Sequence, residues 1–158
     1  MNCLFFHRNY MHQIIIQENT LNPWQAIANY ERESMEGKSH YGATATFVGT
    51  MRDFNEGDDV DRLFLEHHPM MTEEKLSEII ASANKKWSLL NTLIIHRVGY
   101  IYPADTIVLV AVWSSHRKDA FEACRFLMEE LKSQVPFWKK ERLVDGSERW
   151  VEKNTKGY

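Results

Sequence analysis

Two apolar runs decide the fold: TLIIHRVGYIY at residues 92–102 and TIVLVAVWSS at residues 106–115, separated only by Pro103-Ala104-Asp105. Both are dense in β-branched residues and bounded by turn formers, which predicts a pair of strands joined at the Pro-Ala-Asp turn. In the second run nearly every position is apolar, the pattern of a central strand covered on both faces. The core of the sheet is expected here.

Working outward, the stretch from about Arg117 to Gln134 places Phe121, Cys124, Met128, Leu131 and Val135 on one stripe and Asp119, Glu122, Glu129 and Glu130 on the opposite side. That is an amphipathic helix, stopped by Pro136. ERLV-DG-SERWVE then predicts a closing hairpin. Upstream, Leu76, Ile79, Ile80, Ala83 and Trp87 recur at spacings of three and four, which predicts a helix with Thr72 as its N-cap. HQIIIQEN (12–19), ATATFVGTMR (43–52) and VDRLFLEHH (60–68) read as strands, and Asn22-Pro23 starts a helix running to about Glu33. Hairpins mixed with helices, rather than a strict strand–helix repeat, give an α+β class: a largely antiparallel sheet with flanking helices and a C-terminal hairpin. One domain is expected over residues 11–158, with residues 1–10 as a disordered tail.

Composition narrows the function. With 44% hydrophobic and 26% charged residues in 158, the chain is expected to fold as a single soluble domain. No segment approaches the roughly 18 uninterrupted apolar residues of a membrane span, and the N-terminus MNCLFFHRNYM has no secretion-signal pattern. A net charge of −3 excludes a global basic field for nucleic acid, so any anion site must be local. Only Cys3 and Cys124 are present, which excludes a disulfide framework or CxxC site and points to a reducing cytoplasm. The seven histidines show no ligand spacing, so no metal is expected. A P-loop, a GxGxxG and a GxSxG elbow are all missing from the sequence, and Cys124, on the apolar stripe, is expected to be an inert thiol.

Two local clusters remain. SSHR puts His116 and Arg117 at a helix N-terminus, where free backbone N–H groups and basic side chains suit a phosphate or carboxylate. QVPFWKKE (134–141) follows Lys132, which sits at the edge of the apolar stripe and either snorkels past the core or points into a cleft. Read alone, Lys139 and Lys140 begin a solvated strand; read with Lys132, they border a pocket for an anion, with Phe137 and Trp138 anchoring the helix end.

These pieces in this order, GATATFVGTMR, LFLEHHPMMTEEKL, IIHRVGYIYPAD, SSHRKDAFEACRFLMEELK, VPFWKKE and GSERWVE, resemble the large, catalytic subunits of molybdopterin synthase from Gly42 to Trp150. The resemblance implies an α/β hammerhead-type fold and a homodimer of large subunits, each carrying a small ubiquitin-like subunit, hence a heterotetramer. It implies a sulfurtransferase: the small subunit's C-terminal Gly-Gly carries a thiocarboxylate whose sulfur goes to cyclic pyranopterin monophosphate, building the dithiolene of the molybdenum cofactor. No cofactor of the chain's own is implied. By position Lys132 and Lys139 match the family's active-site lysines and line its substrate site. Thr50, Met51, Arg52, His116, Arg117, Lys140 and Glu141 match the rest of its substrate-binding set. The competing expectation is a non-enzymatic module that captures an acidic C-terminal tail.

Overall fold

The computed structural model describes residues 5–7 and 10–152, with side chains from Met11 onward. In chain order the elements are β1 (Phe5–His7), β2 (Tyr10–Gln17), α1 (Pro23–Ser34), β3 (Ala43–Thr50), β4 (Phe54–Asn55), β5 (Asp58–His67) and α2 (Pro69–Lys86). They continue as β6 (Leu89–Arg97), β7 (Gly99–Ile101), β8 (Thr106–Ser114), α3 (Arg117–Gln134), β9 (Phe137–Leu143) and β10 (Glu148–Trp150). Of the residues expected as a tail, 1–4 and 8–9 lie outside the described residues, and the backbone of Phe5–His7 pairs antiparallel with β2.

The α+β class stands, built on two sheets rather than one. The first runs β1-β2-β6-β8-β3 and the second β10-β9-β5-β4, with β7 also on β5. All pairings are antiparallel except β2 with β6, which run parallel with Ile14 opposite Ile94. The TLIIHRVGYIY stretch spans both sheets. It breaks at Gly99, whose φ of +75° lies in the left-handed region open to glycine, so β6 ends in the first sheet and β7 pairs Leu65 of β5 in the second.

β8 shows why its sequence does not alternate. Val108, Val110 and Val112 face α2 and α3, packing with Leu76, Ile80, Leu127 and Leu131. Leu109, Ala111 and Trp113 face α1, where Trp113 stacks on Tyr30 with centroids 4.9 Å apart. A strand covered on both sides has no polar face to show. A third cluster, Met51, Val60, Leu63, Leu65 and Ile101, underlies the second sheet.

Helix boundaries follow local chemistry. Asn22 caps α1, its Oδ1 accepting the Gln25 N–H at 3.1 Å, with Pro23 next. α2 is capped four residues earlier than the expected Thr72: Pro69 presets the first helical φ, His68 is the cap, and Thr72 is fully buried. α3 has the expected limits, but its stripe centres on Ala120, Ala123, Cys124, Leu127 and Leu131, leaving Phe121 69% exposed at its edge.

Candidate active site

Where the end of β3, β5, the last turns of α3 and β9 meet, they enclose a cavity of about 350 Å³. Three elements deliver its cations. The first arrives past a change of register between Gly49 and Thr50, where Ile107 of β8 is skipped in the pairing, and Thr50, Met51 and Arg52 continue along the cavity wall. Gly49 is required there, since a Cβ would stand 2.7 Å from Val108 Cγ1. The Arg52 guanidinium lies over the Phe54 ring, 4.9 Å from its centroid. Lys132 comes from the last turn of α3, beside Met128, Leu131 and Val135.

Lys139 comes from β9, and the strand's period of two decides its neighbours. Phe137, Lys139 and Glu141 face the cavity, while Lys140 and Arg142 face a separate outer groove with Arg62, Phe64, Tyr100 and Trp150. Burial, and then the charge of Lys132, hold the Lys139 ammonium below the ordinary lysine pKa, with Glu141 acting in the opposite direction. Glu141 is itself buried and firmly held: Asn55 Nδ2 donates to it at 2.7 Å and Arg149 Nε at 3.0 Å. Arg149 goes on to Asp58 at 2.7 Å and the Asn55 carbonyl at 3.0 Å, tying the β4–β5 turn to β10.

The cavity wall also contains His96, which the sequence reading passed over. Its ring stacks on Phe137 at 4.0 Å and 12°, and Nδ1 donates to the Arg97 carbonyl at 2.7 Å. Burial pushes its pKa down to about 4, a direction that nearby Lys139 reinforces, so the ring is neutral at physiological pH. The available signal was a titratable residue two positions after Ile94 and so on the same face of the strand.

The cavity thus brings together Thr50, Met51, Arg52, Lys132, Lys139 and Glu141. Lys140 is not among them; it pairs with Glu148 at 2.5 Å and lies 5.8 Å from the Trp150 ring. His116 and Arg117 are exposed at the opposite end of α3. At about 1.5 Å per residue, Arg117 and Lys132 are separated by about 22 Å along the helix. Of the two expected aromatic anchors, Phe137 packs against the core and Trp138, on the outer face of β9, is 51% exposed. Among the described residues no group of three or more His, Cys, Asp and Glu could hold a metal ion. Cys124 is a buried free thiol whose pKa burial pushes up to about 11, which rules it out as a nucleophile at neutral pH. A cavity lined by more fixed cations than anions is suited to anionic ligands.

The family of MoaE proteins matches residues 16–134. The molybdopterin synthase catalytic subunit of Ralstonia nicotianae is 52% identical over 116 residues, which is 73% of this chain and 65% of that protein. The Haemophilus influenzae protein of the same name is 48% identical over 140 residues, 89% of each. The crystal structure of molybdopterin synthase from Staphylococcus aureus superposes with a TM-score of 0.76 at 31% identity, over 94% of this chain and 100% of that one. With its family model matched over most of its length and the same fold present in a solved relative, this chain belongs to the MoaE family.

Proposed function

We propose that the chain is the catalytic subunit of a molybdopterin synthase. In this reading it is a cytoplasmic sulfurtransferase that moves sulfur from the C-terminal thiocarboxylate of a small ubiquitin-like subunit onto cyclic pyranopterin monophosphate, forming the dithiolene. The observation that carries the reading is the convergence of Lys132, from a helix end, and Lys139, from a strand, in one cavity with Arg52 at its wall. Both reactants are anions, and an otherwise acidic protein has gathered its cations where they would meet.

The roles follow from position. Arg52, with the Thr50–Met51 backbone beside it, holds the phosphate, for which the guanidinium fork is suited. Lys132 stabilises the negative oxygen that develops as the thiocarboxylate carbon becomes tetrahedral. Lys139, with its pKa lowered by burial, exchanges a proton with the reacting groups. Sulfur is supplied by the partner, which accounts for catalysis without a reactive cysteine. Glu141, fixed by Asn55 and Arg149, keeps the Lys139 strand in register and moderates the positive field. His116 and Arg117 cannot reach this cavity along their own helix, so we assign them to the cavity of the second large subunit in a homodimer. Lys140 belongs to the outer groove and is assigned no contact with substrate in its own chain.

The test is reconstitution: the chain, a thiocarboxylated small subunit and the pterin precursor should yield a dithiolene product. A folded sample that binds the small subunit's tail stoichiometrically yet forms no product would replace this reading with a tail-capturing module.

A further inference from the structure

Behind the segment that carries Arg52 lies an ion pair, buried on its arginine side and half-buried at its carboxylate, that lines no part of the cavity. Arg97 closes β6 with its side chain 5% exposed, and its Nη1 donates to Asp105 Oδ2 at 2.9 Å. Its Nη2 donates to the carbonyls of Tyr100 at 3.1 Å and Glu18 at 3.3 Å. The same Asp105 oxygen accepts the Tyr102 N–H at 3.1 Å, and the Asp105 N–H donates to the Tyr102 carbonyl at 3.0 Å, closing the 102–105 turn. Within that turn Ala104 has φ +71°, a left-handed conformation that a side chain holds only when its surroundings fix it.

The outer edge of this turn grips the cavity segment with two hydrogen bonds. The Met51 N–H donates to the Asp105 carbonyl at 2.9 Å, and the Ala104 N–H donates to the Met51 carbonyl at 2.9 Å. Met51 is buried and Arg52 is the next residue, immediately past the register shift at Gly49–Thr50. The chain of contacts is therefore continuous from Arg97 through the Asp105 carboxylate and the turn to the backbone of Met51.

We propose that Arg97 and Asp105 are positioning residues for Arg52: by clamping the backbone of Met51 they fix where the guanidinium stands at the cavity wall, and so set its affinity for a phosphate without touching the ligand. A pair that only stabilised the turn would lower the melting temperature and leave the affinity of the folded protein unchanged.

The experiment uses the full chain carrying ¹³C-methyl methionine, with cyclic pyranopterin monophosphate as the probe. Asp105→Asn keeps an acceptor for the Tyr102 N–H and removes the charge that pairs with Arg97. The Met51 methyl resonance should move and the Kd for the probe should rise about tenfold or more, the scale on which small misplacements of a binding group act. In an Arg52→Ala background the same substitution should raise Kd no further, because the coupled group is gone. An unmoved Kd in folded Asp105→Asn, or an equal loss in both backgrounds, overturns the proposal. If Asp105→Asn does not fold, Asp105→Glu, which keeps the charge but displaces it by one methylene, is read by the same criteria. The functional half rests on the phosphate role assigned to Arg52. Wild-type affinity in Arg52→Ala would refute that role by itself, while the Met51 methyl would still decide for or against the clamp.

Discussion

Lys139 and Lys140 are neighbours in sequence and face opposite sides of β9. One enters the cavity and the other pairs with Glu148 in the outer groove. The doublet was visible in the sequence as a basic cluster at the start of a strand, but telling which of the two lysines faces the cavity needed the register of the strand that begins at Phe137. His96 was hidden for the opposite reason, as a polar residue in a run read as core. Its environment makes a specific prediction. An unfolded histidine takes up its proton near 6.5, whereas the folded pKa of His96 is about 4. Between those values the unfolded state binds more protons, so stability falls as the solution is acidified through that window. The contribution at stake is about 3 kcal/mol by the linkage relation. Denaturant melts of wild type and His96→Asn from pH 7 to 4 should show a shallower pH dependence in the variant; parallel curves would show that His96 is not buried in neutral form.

At the scale of elements, the best-read pieces were those with local punctuation. α3 ends before Pro136, α1 begins at Asn22-Pro23, and the final hairpin turns at Asp145-Gly146. Each is decided within a few residues, by a cap, a missing donor or a turn. The second sheet was not legible, because it depends on a break at Gly99 inside a continuous apolar run and on pairings between β5, β7 and β9 far apart in the chain. The bulge that delivers Arg52 depends on close approach of β3 and β8 at Gly49. Gly49→Ala would place a methyl 2.7 Å from Val108 Cγ1, and overpacking of this kind costs about 1–3 kcal/mol. Urea denaturation should register that loss, together with weaker phosphate binding as Thr50–Arg52 is displaced. A variant as stable as wild type would mean that the strands have room to separate there.

At the scale of the whole molecule, the cavity lies between the two sheets and is closed by the end of α3, so it exists only when all these parts are folded together. Composition restricted any anion site to a local one, and of the cations that the family resemblance named, Arg52, Lys132 and Lys139 line the cavity while His116, Arg117 and Lys140 do not. Neither could show that His116 and Arg117 sit about 22 Å along the helix from Lys132. Their assignment to a second copy predicts complementation: chains carrying Lys139→Ala and chains carrying Arg117→Ala, each nearly inactive alone, should regain activity when mixed and allowed to exchange subunits. One of the two cavities in a mixed dimer would then have every group intact. Activity that stays at the level of the separate variants would contradict the assignment of Arg117 to the second copy's cavity.

The claim beneath all of this is that Lys132 and Lys139, from different elements, act on the same reacting atoms. Single-turnover sulfur transfer from a thiocarboxylated small subunit to the pterin precursor tests it most directly, with small-subunit binding and thermal unfolding measured on the same samples. Lys132→Ala and Lys139→Ala should each slow transfer by about a hundredfold or more while remaining folded and bound to the small subunit, as expected for loss of a group that acts in the transition state. Transfer at the wild-type rate by either folded variant would contradict the account.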